Sequence, residues 1–158
     1  MNKYKLMLEQ NFNESKKHFL RLNKAAEKIK SLIPLDKDSY LNLKDDEIAY
    51  LDQFIFRFSK LQDTLGNKLF KTVLIYLGED LTTKSFIDTF NRLEQLGIIE
   101  NYDLWMELRE LRNELAHDYE DDPIETSEKI NKIFQKKDEL EKFFTDIKRF
   151  LEEKGFNL

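Results

Sequence analysis

Leu8, Phe12, Ser15, Phe19, Leu22, Ala26, Ile29 and Ile33 recur at steps of four and three residues. That is the repeat of one helix face laid against a bundle. Pro34 predicts its end, because proline removes a backbone donor and restricts the residue before it. The stretch PLDKDSYLNL then reads as a connection. A second helix is expected from Asp45-Asp46-Glu47, whose carboxylates suit the positive end of a helix. Phe54, Phe58, Leu61, Leu65, Leu69, Val73 and Tyr76 make its apolar face, and Gly78 stops it. A shorter helix follows, with Phe86, Phe90 and Leu93 turned inward and Gly97 at its end. A fourth runs from about Tyr102 into the segment RNELAHDY, burying Leu104, Leu108, Leu111 and Leu115. Asp122-Pro123-Ile124-Glu125 reads as an N-cap, a first-turn proline and an acid at the third position. It opens a last helix whose apolar positions are Ile130, Ile133, Leu140, Phe144, Ile147 and Leu151. The expected fold class is all-α: an up-and-down bundle of about five helices, forming a single domain over residues 1–158.

Composition agrees with that pattern. Charged residues make up 36% of the chain, with only 4 Gly and 2 Pro, a balance that favours long helices over a sheet with many turns. The 13 Phe supply a sizeable core. There is no cysteine, so disulfides, thiolate metal sites and thiol nucleophiles are excluded, and a reducing cytoplasm fits. No apolar run approaches the roughly 18 residues of a membrane span, and the N-terminus has no signal-peptide pattern. The expectation is a soluble, cytoplasmic protein. A net charge of −5 argues against nonspecific coating of nucleic acid, so any nucleic-acid role must rest on a local basic patch.

Few residues offer chemistry. His18, between lysines and beside Phe19, reads as a solvated or partly packed histidine. Two histidines and no cysteine speak against a histidine-based zinc site. A carboxylate-only metal site stays open, although no acidic spacing asks for one. Glu120-Asp121-Asp122 reads as a helix connection and cap.

The segment from Arg112 to Tyr119 is more specific. Positions five apart on an α-helix differ by about 140° in direction and about 7.5 Å in height, so Arg112 and His117 do not share a face. A regular helix cannot bring both to one atom. Either the helix loosens near His117, or a second copy of the chain supplies the other half of a composite cleft. The second helix carries a matching feature. Arg57, Lys60, Thr64, Lys68 and Lys71 fall in a stripe roughly 80° wide, turned about 120° from the apolar face. It reads either as a solvated basic face or as a wall that faces phosphate.

Two segments together resemble the HEPN superfamily, in its HepT-like branch of bacterial and archaeal toxins. RNELAHDY matches the pattern Arg, four residues, His, any residue, Tyr. DQFIFRFSKLQDTLGNKLFKTV, residues 52 to 73, resembles the second helix of that branch. The resemblance implies a HEPN-like bundle acting as a metal-independent endoribonuclease and a homodimer, with Arg112 and His117 of both protomers lining one cleft. No cofactor or metal is expected. The nucleophile would be the 2'-hydroxyl of the RNA, which excludes DNA as substrate. His117 would act as general acid or base and Arg112 as phosphate clamp, with Asn113 orienting the phosphate or His117. Arg57, Lys60, Lys68 and Lys71 would bind RNA. The resemblance also implies a partner, a minimal nucleotidyltransferase antitoxin that transfers AMP from ATP to Tyr119. The adduct would add bulk and negative charge where the RNA phosphate must sit. The rival expectation is a noncatalytic module that binds substrate for, or scaffolds, a nucleotidyltransferase.

Overall fold

A computed structural model of the chain describes residues 2–118 and 122–158, and for residues 117 and 118 the backbone alone. The described residues contain helices and no strand. They run in the order α1 (Lys3–Ile29), α2 (Lys37–Leu41), α3 (Asp45–Thr64), α4 (Phe70–Tyr76), α5 (Phe86–Gln95), α6 (Tyr102–Asp118) and α7 (Pro123–Glu153). The chain is an all-α helical bundle, as its periodicity predicts.

Two details depart from the five-helix expectation. The connection after Pro34 contains the short helix α2, started by Asp36, whose carboxylate accepts from the Ser39 N–H while the Ser39 hydroxyl accepts from the Asp36 N–H. The long second helix is divided into α3 and α4 by a π-helical turn, Leu65–Leu69. The apolar positions explain that turn. Leu61, Leu65, Leu69 and Val73 are all buried and lie four apart. On an unbroken α-helix each four-residue step rotates about 40° away from the last. A wider turn absorbs the drift and keeps all four side chains on the core.

Neighbouring long helices run antiparallel. Asn11 meets Thr72 and Glu14 meets Lys68 across α1 and the α3–α4 segment. Phe12 stacks on Phe144, and Asn23 bonds Glu141, across α1 and α7. Glu114 pairs with Lys129, and Glu107 with Lys136, across α6 and α7. The buried side chains form one cluster drawing on α1 and α3 to α7. Asp122 caps α7 by accepting from the Ile124 and Glu125 N–H groups, with Pro123 in the first turn as expected. The segment before α2 is pinned to α7 by Asn131, whose side chain accepts from the Leu35 N–H at 2.7 Å and donates to the Leu35 carbonyl at 2.8 Å. No helix among the described residues is long and apolar enough to cross a membrane.

Candidate functional site

Arg112 sits on α6 facing α3. Its Nη1 donates to Asn113 Oδ1 at 2.8 Å and its Nη2 to Asp63 Oδ2 at 2.5 Å. The guanidinium is therefore held between an amide on its own helix and a carboxylate on the next. Asn113, expected to orient the phosphate or His117, accepts from Arg112.

Beside it lies a cavity of about 310 Å³, lined by Gln62, Asp63, Gly66, Asn67, Lys71, Phe86, Trp105, Arg109 and Arg112. Three cations face one carboxylate there, a local positive balance in an acidic protein. The π-turn builds its inner wall. Gly66 lies so close to the indole that a Cβ there would stand 2.9 Å from Trp105 Cζ2. Only the lack of a side chain lets α6 approach the turn this closely. Trp105 is buried at 2% exposure, stacked on Phe86 and in edge contact with Phe143. Leu104, expected in the core, is half-buried, and Trp105 takes the inward position.

The basic stripe does not act as one surface. Lys71 lines the cavity with Arg112. Lys60 is exposed, with its ammonium 5.6 Å from the centroid of the exposed Phe56 ring. Thr64 is buried. Arg57 and Lys68 are engaged by α1 instead: Arg57 Nη1 lies 2.9 Å from His18 Nδ1, and Lys68 pairs with Glu14 at 3.0 Å.

His18, expected to be solvated or partly packed, is packed more deeply than that, at 5% exposure and facing α3. Burial comes first among the causes that hold its pKa below the ordinary 6.5, followed by the charges of Arg57 and Lys17; Glu14 opposes them. The imidazole is thus neutral, with Nδ1 accepting from the guanidinium. Burial and the neighbouring Arg21 push the Arg57 pKa down as well.

The helix carrying the motif stays helical through Asp118. The backbone at His117 is therefore α-helical and does not loosen before it. The His117 side chain and Tyr119 lie outside the described residues. The sequence reading missed Asp63, Gln62, Asn67 and Arg109. Arg109 stands one turn before Arg112, and Asn67 one turn before Lys71, so helical periodicity carried a signal for both. Asp63 and Gln62 carried none, because their roles depend on α6 packing against α3. Among the described residues no group of three His, Cys, Asp or Glu side chains comes together that could hold a metal ion. Comparison with protein-family models, with curated proteins and with solved structures finds no match.

Proposed function

We propose that the chain is a metal-independent endoribonuclease of the HepT-like kind, the toxin of a toxin–antitoxin pair, working as a homodimer and silenced by a nucleotidyltransferase that transfers AMP to Tyr119. One observation carries the reading: α6 remains regular through Asp118, so Arg112 turns toward the cationic cavity on α3 while position 117 leaves the helix about 140° away. Two such helices side by side, related by a twofold axis, would let an arginine and a histidine from different copies face one phosphate. In that cleft a histidine takes the proton of the ribose 2'-hydroxyl as its oxygen attacks the adjacent phosphorus. The bond to the 5'-oxygen breaks and that oxygen receives a proton. The products are a 2',3'-cyclic phosphate and a 5'-hydroxyl end. Arg112, already oriented by Asp63 and Asn113, balances the charge that builds on the phosphorus oxygens.

A second reading has its own support. The Arg112 charge is engaged by Asp63, which suits a noncatalytic subunit that uses the pair to brace α3 against α6. The experiment is cleavage of a 5'-labelled RNA by purified protein, wild type and His117→Ala, with and without EDTA. The ribonuclease reading expects metal-independent cleavage ending in a cyclic phosphate, lost in His117→Ala while the helical circular dichroism persists. Cleavage by a folded His117→Ala protein at the wild-type rate, or no cleavage by either, favours the noncatalytic reading.

A further inference from the structure

We propose that the cavity beside Arg112 is a guanine-binding pocket, which on the ribonuclease reading would favour RNA carrying a guanine next to the cleaved linkage. The decisive group is Gln62. It is 3% exposed, lines the cavity, and spends its Nε2 on the Trp105 carbonyl at 3.4 Å. Turning the amide over would set oxygen against oxygen, so the carbonyl contact fixes its orientation. Gln62 Oε1 is then a buried acceptor without a partner. Such a group is costly to leave unpaired, and a ligand N–H relieves the cost. That oxygen is covered, so a base reaches it only if the atoms over it move.

Its sequence neighbour, Asp63, lines the same cavity and engages Arg112 through Oδ2, while a carboxylate has acceptor sites for more than one donor. Two consecutive lining residues therefore carry acceptors, the Gln62 oxygen being exposed to a ligand only on binding. Among the four RNA bases only guanine presents two adjacent donors on one edge, N1–H and the N2 amine. Adenine and cytosine present one amine beside an acceptor, and uracil a single N–H between two carbonyls. The adjoining edge of guanine carries the O6 and N7 acceptors, the pair that arginine and lysine recognise in nucleic acids. Lys71 and Arg109 line the cavity and supply those donors. Phe86 is half-buried against Trp105, with ring centroids 6.0 Å apart, and gives the aromatic wall on which a base stacks. The volume of about 310 Å³ falls at the lower end of small-ligand pockets.

The test uses the only tryptophan of the chain, Trp105, as reporter. Wild-type protein is titrated with GMP, inosine monophosphate and UMP while its fluorescence is followed. Inosine keeps O6, N7 and N1–H and lacks only the N2 amine. The pocket predicts saturable binding of GMP about tenfold tighter than inosine monophosphate, from one lost hydrogen bond, with UMP weaker still. Gln62→Leu brings the affinity for GMP down to that for inosine monophosphate. Equal affinities for GMP and inosine monophosphate in the wild type, or no binding, overturn the proposal whether or not Gln62→Leu folds. Cleavage assays on uridine-rich RNA bearing one guanosine, one inosine or neither separate this from the parent reading. Cleavage without base preference, together with equal nucleotide affinities, removes the pocket and leaves the ribonuclease. Preferential GMP binding without cleavage of any RNA keeps the pocket and removes the ribonuclease.

Discussion

Gly66→Ala probes the contact on which the geometry of the cavity depends. The new methyl would stand 2.9 Å from Trp105 Cζ2, 3.5 Å from Phe86 Cε2 and 3.7 Å from Trp105 Cη2. The first separation is shorter than carbon atoms tolerate, and the indole cannot swing aside, since Phe70, Phe86, Phe90 and Phe143 surround it. Either α6 moves away from the π-turn or the turn deforms. Overpacking a buried site costs about 1–3 kcal/mol. Replacing a helical glycine by alanine returns about 0.5–1 kcal/mol. Mid-range values of both leave a net loss of about 1.2 kcal/mol, which at a mid-range urea slope of about 2 kcal/mol per molar moves the unfolding midpoint down by roughly 0.6 M. Urea titration followed by Trp105 fluorescence and by helical circular dichroism measures it, and the fluorescence of the folded variant shifts as the indole environment opens. A midpoint equal to or above that of the wild type would refute the close approach of α6 to the turn.

Three further outcomes are expected. Sedimentation equilibrium at micromolar concentration shows a dimer, and a persistent monomer removes the composite cleft. Stability depends on pH through His18: its folded pKa is held below the 6.5 of the unfolded chain, so its contribution is full above about 6.5 and is lost as pH falls through the lowered folded value. The melting temperature of the wild type therefore drops more between pH 7.5 and 5 than that of His18→Gln, which keeps an acceptor for Arg57 and does not titrate; parallel curves would contradict the buried neutral imidazole. Incubation with ATP and a cognate minimal nucleotidyltransferase adds AMP mass to the Tyr119 peptide and none to Tyr119→Phe, and modification confined to other peptides rejects Tyr119 as the control point.

The seams were legible because burial along a helix imposes its own period. Leu8, Phe12, Leu22 and Ile29 on α1, and Ile130, Ile133, Leu140 and Ile147 on α7, are buried where steps of three and four place them. The π-turn also left a trace, the unbroken run of four-residue steps from Leu61 to Val73, which a plain helix cannot keep on one side. The depth of His18 burial was illegible because it depends on a partner 39 positions away, Arg57, while the flanking lysines indicate water. The basic stripe was read correctly as a periodicity and incompletely as a surface, since α1 engages Arg57 and Lys68. The Arg112–Asn113 contact is between adjacent residues that helix geometry assigns to different stripes, and Asp63 lies 49 positions from Arg112 and joins it only when α3 and α6 pack.

The two-pronged grip of Asn131 on Leu35 says how this architecture can diverge. The amide reads a main-chain N–H and C=O together, as one β-strand reads another, and it is indifferent to the side chain that residue 35 carries. An aspartate would lose the donor and a leucine both prongs, so position 131 is constrained in identity by the main chain it holds, while residue 35 is constrained separately by the burial of its side chain in the core. A variant that lengthens or shortens the segment before α2 should therefore lose the Asn131 contact whichever side chains the segment carries.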